Sequence, residues 1–364
     1  MSNSLLRPNL DFDTTTLNNL HAVLVSCDEA SEAFALDEMR PLFSDFPKVE
    51  WLNPGIALLE TGMEFASFSE AMDRIAPVFI RHIAPVQSCF ALTGAVSDLQ
   101  TLQNEARGLA KQMTAAMSFA VQTRILGEGK QPYRRVTINE TLSDLLHSMT
   151  GASLDTRAPE QVVSVLCTHD QGYIGVSLGT QNRSLWPGGA HRFQREQGQI
   201  SRAEFKLLEA LSVFQLTLPA HGTALDMGAA PGGWTRVLRQ HELQVVAVDP
   251  ADLDPRIQHE IGVQHIRKIT QTYLPDAPNF DVIVNDMRMD ASESVELMLQ
   301  ARSHLIEGGL AILTLKLPEG ARAAQRNPEV VRQAIDRLSS GFHVVGARQL
   351  YHNRSEVTVA LQAQ

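Results

Sequence analysis

From residue 201 onward the chain alternates short apolar runs with amphipathic stretches. "TALDM" (223–227), "QVVAVD", "VQHIR", "FDVIVND" and "GLAILTLKL" read as strands, with helical spacing between most of them. The early runs are almost wholly apolar, as in strands buried on both faces of a parallel sheet. A helix is predicted over 201–216, opened by a capping box in which Ser201 is followed three residues on by Glu204. A second starts at Pro231, which suits a first helical position because it has no N–H to satisfy. The last two runs, "HVVGARQLY" and "EVTVALQ", flank "HNRS" and predict a closing hairpin. This pattern specifies an α/β domain built on a doubly wound, Rossmann-like sheet, mostly parallel with an antiparallel last strand.

The first 200 residues read differently. Residues 20–95 mix short apolar runs with amphipathic stretches, as in a small α+β unit. Helices are predicted over 100–118 and 137–150, and strands at "SFAVQTRIL", "QVVSVLCTH" and "GYIGVSLG". Gln171-Gly172 would turn the hairpin between the last two. The segment 180–199 is rich in Gly, Asn, Gln and Arg, as in a linker. The expected organisation is therefore 1–98, 99–180, a linker over 181–200, and 201–364.

Composition adds few constraints. With 364 residues, 44% hydrophobic and 20% charged, the chain is an ordinary globular protein with room for several domains. No apolar run is long enough to suggest a membrane span, and the first residues lack the order of a secretory signal. Cys27, Cys89 and Cys167 lie far apart in apolar runs and are expected as buried free thiols in a reducing cytoplasm. No CxxC or paired histidine spacing suggests a metal. The net charge of −10 argues against a nucleic-acid partner only until its distribution is read. The balance is −9 over residues 1–100, +3 over 101–206 and −4 over 207–364. Phosphate contacts need local Lys and Arg, not a basic average. Arg124, Arg134, Arg135, Arg183, Arg192 and Arg195 are candidate RNA contacts, and Trp186 would stack on a base or pin the linker.

The candidate chemistry begins at "TALDMGAAPGGWTRVL", residues 223–238. A phosphate-binding P-loop needs Gly-Lys-Ser/Thr, but Trp234 and Thr235 follow Gly232-Gly233. A dinucleotide turn needs a middle glycine near the pyrophosphate, and Ala230 holds that place. S-adenosylmethionine, a nucleoside without phosphate, fits better. Gly228 would allow close approach, Asp249 would hold the ribose, and Asp226 would face the methionine end. Ala229, Ala230, Pro231, Gly232, Gly233 and Trp234 complete the candidate cofactor turn. Four more positions carry charge where a ligand would sit: Lys206 on the helix before the first strand, Asp286 and Lys316 at strand ends, and Glu356 in the last strand. Lys316 follows an apolar run, and a buried lysine needs a partner or a purpose.

"SRAEFKLLEA", "LDMGAAPGGWT", "NDM", "LKLP" and "ARQLYHNRSEVTV" resemble the FtsJ-like ribose 2′-O-methyltransferases. Among these, the tail and "GVSLGTQNRSLWPGG" are most similar to the bacterial RlmM type, whose members methylate a cytidine ribose of 23S ribosomal RNA. Residues 99–180 look like a THUMP domain, an RNA-binding module, and 1–98 resemble a ferredoxin-like domain. The resemblance implies S-adenosyl-L-methionine as methyl donor and 23S rRNA, or its precursor particle, as partner, with neither membrane nor metal. It implies a Lys–Asp–Lys–Glu tetrad of Lys206, Asp286, Lys316 and Glu356, acting by in-line displacement. Lys316 would be the general base, its deprotonation eased by burial and by Lys206, while Asp286 and Glu356 orient the lysines and the 2′-hydroxyl. Where related enzymes carry an acid near the adenine, this chain has Lys268, Ile269 and Thr270. The stretch "PEGARAAQRNPE" is also less basic than in a typical RNA-binding loop. The competing readings are an RNA-binding assembly factor that holds the cofactor structurally, a small-molecule methyltransferase, and an NAD-dependent enzyme.

Overall fold

A computed structural model describes residues 21–127, 131–194, 196–320 and 325–364. The described residues form two compact units. One holds 21–26, 40–74 and 82–188; the other holds 27–39, 75–81 and 189–364.

In the first part of the chain, β1 (Ala22–Cys27), β2 (Val49–Asn53), β3 (Ile56–Glu60) and β4 (Ile80–Val86) form one sheet in the order β2-β3-β1-β4. Helices α1 (Glu32–Met39) and α2 (Phe65–Ile75) lie between its strands in sequence. A second four-stranded sheet, ordered β5-β8-β7-β6, contains β5 (Ser88–Ala91), β6 (Phe119–Ile125), β7 (Gln161–Cys167) and β8 (Gln171–Leu178). Helices α3 (Asp98–Leu109) and α4 (Arg135–Thr150) cover it through Leu102, Ala106, Ile138, Leu142 and Leu146, packed on Phe119, Val163 and Val165.

Two details depart from the pattern reading. The helix expected over 100–118 ends as a short 3-10 turn at Gln112. The β7–β8 hairpin turns at His169-Asp170, because the Thr168 amide donates to the Gln171 carbonyl and the Gln171 amide to the Thr168 hydroxyl. Gly172 is already in the strand, opposite Cys167. A Cβ there would collide with the Phe90 ring, so this glycine answers a packing demand and not a turn.

The second unit contains α5 (Glu204–Val213), β9 (Thr223–Met227), α6 (Gly233–Gln240), β10 (Gln244–Val248), α7 (Pro255–Gln258), β11 (Val263–Ile266), α8 (Thr270–Tyr273), β12 (Phe280–Asn285), α9 (Ala291–Ala301), β13 (Leu305–Lys316), α10 (Asn327–Leu338), β14 (Phe342–Arg348) and β15 (Glu356–Ala363). Its seven strands are ordered β11-β10-β9-β12-β13-β15-β14. The five from β11 to β13 pair in parallel. β15 inserts antiparallel between β13 and β14. The strand order reverses between β9 and β12, and a crevice outside the carboxyl ends of such strands is where ligands bind. The central strands are fully buried through Ala224, Leu225, Val245, Val282, Ile283, Ile312 and Leu313, which accounts for their continuous apolar runs.

The expected capping box is half built. Glu204 Oε1 accepts from the Ile200 and Ser201 amides, but the Ser201 hydroxyl has no hydrogen-bond partner and the helix begins at Glu204. The helix starts too late for Ser201 to cap it, with Ala203 at the N-terminal cap, and Gly233 leaves room for the Ser201 hydroxyl, which a Cβ there would meet. Pro231 lies in the turn and α6 begins two residues later, with Gly232 at its N-terminal cap. All three cysteines are buried free thiols. Burial pushes Cys27 and Cys167 up to about 12 and Cys89 to about 11, which keeps them protonated and poorly reactive. No described helix is long and apolar enough to cross a membrane.

Candidate active site

The inserted strand β15 assembles the site. It makes Lys316 and Glu356 direct cross-strand partners at the carboxyl end of β13. Asp286 follows immediately on β12, the other neighbour of β13. The turn after β12 is shaped by Asn285, fully buried, whose Oδ1 accepts from the Met287 amide while its amide donates to Ser294. Lys206 comes from the first turn of α5.

These four side chains form a closed ring of alternating charge. Lys206 Nζ lies 2.6 Å from Glu356 Oε2 and 3.2 Å from Asp286 Oδ1. Lys316 Nζ lies 2.5 Å from Asp286 Oδ1 and 2.9 Å from Glu356 Oε1. All four side chains are 16–18% exposed, so the ring is largely but not wholly shielded from solvent. Each ammonium contacts both carboxylates, the arrangement in which Asp286 and Glu356 orient the two lysines. Burial pulls Lys206 downward, but Asp286 and Glu356 outweigh it and hold its value above the ordinary one.

The residues of the expected cofactor turn fall into two groups. Gly228, at φ +73°, has no room for a side chain, because a Cβ would collide with Met287. Asp249 ends β10 half-buried; its Oδ2 accepts from the Ala230 amide at 3.1 Å and its Oδ1 from the Ala251 amide at 2.8 Å. Each oxygen keeps a lone pair with which to accept a hydrogen bond from a ribose hydroxyl. These two residues fit the ribose of a nucleoside.

The second group, Pro231 apart, faces inward. Ala229 packs with Ala247, Leu253 and Ile257, and Gly232 lies against Ile257. Trp234 is buried and its indole donates to the Ala203 carbonyl at 2.8 Å, tying α6 to the approach of α5. Pro231 is exposed and follows Ala230 through a cis bond. Asp226 is 2% exposed and accepts from the Thr235 hydroxyl at 2.6 Å. Burial pushes its carboxyl up to about 7; the Thr235 hydrogen bond opposes this, and Asp286 and Asp249 add to it.

That shift has a sign. Asp226 retains in the fold a proton that the unfolded chain releases near its ordinary value of 3.8. Stability should therefore fall as pH rises from about 4 to about 7, by roughly 4 kcal/mol at most, and this residue should add no slope outside that window. Denaturant midpoints of wild type and Asp226→Asn from pH 4 to 8 check this. The variant should lose the decline; parallel profiles would show Asp226 ionised in the fold.

Sequence reasoning missed Glu209, a carboxylate only 1% exposed, one turn after Lys206. It accepts from the Tyr351 amide at 2.6 Å and the His352 amide at 2.9 Å, and its Oε2 lies 2.7 Å from His352 Nδ1. It also missed Asn353, which holds the approach to Glu356, and Met287, which covers Gly228. The available signal for Glu209 was a charge inside the apolar run "LLEAL". After β11, the third strand of this sheet in sequence, Lys268 and Ile269 are exposed and Thr270 is buried. Of the candidate RNA contacts, Arg134, Arg135 and Arg192 are exposed, and Arg124 and Trp186 are partly buried. The Arg183 guanidinium is enclosed, donating to the Met72 carbonyl beside Asp73. Arg195 and residues 321–324 of the loop after Lys316 lie outside the described residues.

The FtsJ-like methyltransferase family matches residues 199–356, which span all four ring residues. A ribosomal RNA large subunit methyltransferase M of Halorhodospira halophila is 31% identical over 286 residues, covering 76% of this chain and 80% of that protein. This chain belongs to the ribosomal RNA large subunit methyltransferase M family. Further members of the family are similar over shorter stretches. The Pseudomonas syringae protein is 33% identical over 204 residues, 52% of this chain and 54% of its own. The Laribacter hongkongensis protein is 35% identical over 185 residues, 48% and 51% respectively. Membership in this methyltransferase family makes the chain an enzyme, and the charged ring lies within the FtsJ-like segment.

Proposed function

We propose that this enzyme transfers a methyl group from S-adenosyl-L-methionine to a ribose 2′-oxygen of ribosomal RNA, a cytidine of 23S rRNA, in the cytoplasm. The observation that carries the reading is the convergence of Lys206, Asp286, Lys316 and Glu356 beside the Gly228–Asp249 turn at the strand-order reversal. Asp249 would hold the cofactor ribose, and Gly228 and Ala230 would border it. When bound, the cofactor supplies an electrophilic methyl group.

The protein's part is to position a sugar hydroxyl and to take its proton. Lys316 in its neutral form accepts the 2′-proton. With Lys316 neutral, one ammonium faces two carboxylates and the ring carries a net negative charge. Accepting the proton restores neutrality in a shielded site, so the ring stabilises the charge that develops as the oxygen attacks. Lys206, held charged by its two partners, keeps both carboxylates oriented. Alignment of the hydroxyl supplies much of the remaining rate gain. Residues 99–180 serve as the THUMP-like RNA-holding module, and the exposed Arg134 and Arg135 at the start of α4 support that assignment.

Labelled methyl transfer tests the substrate class. Ribosomal RNA lacking its native methylation should accept label from S-adenosylmethionine, and tRNA should not. Equal labelling of both would overturn the assignment to ribosomal RNA.

A further inference from the structure

The loop 349–355, between β14 and β15, is fixed from several directions. Buried Glu209 holds the amides of Tyr351 and His352. Arg81, anchored by Asp28 at 3.0 Å, donates to the carbonyls of Gln349 and Leu350, each at 3.1 Å. Asn353 Oδ1 accepts from the Leu350 amide at 2.8 Å and the Thr358 hydroxyl at 3.1 Å, and its amide nitrogen lies 3.5 Å from Glu356 Oε2. The His352 ring stacks against Phe193 and tilts onto Phe205, with centroids at 5.6 and 5.2 Å. The same helix turn that delivers Lys206 and the same loop that delivers Glu356 therefore set the position of Tyr351.

On this rigid loop Tyr351 is 38% exposed. The His352 ring meets it edge-on at 5.3 Å, and the Arg81 guanidinium lies 5.9 Å from its centroid. A lone exposed tyrosine is ordinary. One whose backbone is clamped by a buried carboxylate one helix turn after Lys206, on the loop that leads into Glu356, is a preformed flat surface. A ribose presented to Lys316 brings its base along, and an unstacked base gains by covering an aromatic face.

Resting on the function proposed above, we propose that Tyr351 is the stacking platform for the nucleobase of the target nucleotide. The preformed loop spares the ordering cost that a mobile aromatic would add to binding. Recognition by stacking is tolerant of base identity, because every base offers a π-face.

The test uses the full chain and two forms of a ribosomal RNA fragment, intact and abasic at the target nucleotide. The readouts are KM and kcat for RNA, cofactor Kd and thermal midpoint. Tyr351→Ala should raise KM for intact RNA roughly tenfold. Tyr351→Phe should stay near wild type, and cofactor Kd and midpoint should be unchanged in both. Wild type should lose a similar factor on abasic RNA, whereas Tyr351→Ala should be indifferent to the missing base. An unchanged KM for Tyr351→Ala would overturn the proposal. So would a lowered midpoint with equal losses on both RNAs, which would assign Tyr351 to loop packing. Wild-type enzyme that transfers nothing to either RNA would overturn the functional reading, and this platform with it.

Discussion

Lys316→Ala is expected to abolish measurable methyl transfer while leaving cofactor affinity within a fewfold of wild type. The side chain makes two hydrogen bonds, to Asp286 and Glu356, and its strand is separated by β9 and β12 from β10, which leads into Asp249, the residue proposed to hold the cofactor ribose. Loss of a positioned general base costs about 10²–10⁴ in rate. The variant also leaves the two carboxylates facing a single ammonium, which adds to the loss. Single-turnover methyl transfer and equilibrium cofactor binding, measured on the same preparation, separate chemistry from binding. A variant that transfers methyl at near wild-type rate would remove Lys316 as the base.

The second large effect is expected at Asp286→Asn. Asp286 Oδ1 is shared by both lysines, so one neutral amide removes a charge partner from each. Breaking a shielded ion pair by neutralising one member costs about 3–5 kcal/mol. That cost falls on stability; on the rate, misplacing both lysines is expected to cost on the order of 10²-fold. The substitution also carries a sign for Lys206. Burial lowers its value and the two carboxylates raise it, so removing one carboxylate should bring Lys206 down. NMR titration of the Lys206 ammonium in wild type and variant reads this directly. An unchanged titration would show that Asp286 does not hold Lys206 charged in solution.

Much of this site was legible in the chain before its fold was described, for physical reasons. Strands buried on both faces write continuous apolar runs, so "FDVIVND" and "GLAILTLKL" announced β12 and β13, and the charges that break those runs at their ends are Asp286 and Lys316. The hairpin pattern around "HNRS" placed Glu356 at the start of the last strand. The inserted position of β15, which turns Glu356 into the cross-strand partner of Lys316, depends on strand order, and strand order leaves no local mark in sequence.

The features that escaped are those fixed by tertiary contact. The Ser201 cap failed because the helix begins at Glu204 with Ala203 at its cap, two residues later than the motif predicts. The hairpin turn moved to His169-Asp170 because Gly172 is needed against Phe90. Glu209 looks like an ordinary helix glutamate until the loop 142 residues later brings two backbone amides to it. The closed geometry of the ring also escaped, because which carboxylate oxygen meets which lysine is fixed only when four separate elements converge.

The central claim concerns one atom, the ribose 2′-oxygen. The most direct measurement is the position of the transferred label. Ribosomal RNA methylated with labelled S-adenosylmethionine should be digested with alkali, which cleaves only where a free 2′-hydroxyl can attack the adjacent phosphate. The account predicts label in an alkali-resistant dinucleotide, present with wild-type enzyme and absent with Lys316→Ala. Label recovered in single nucleotides, carried on a base, would contradict it.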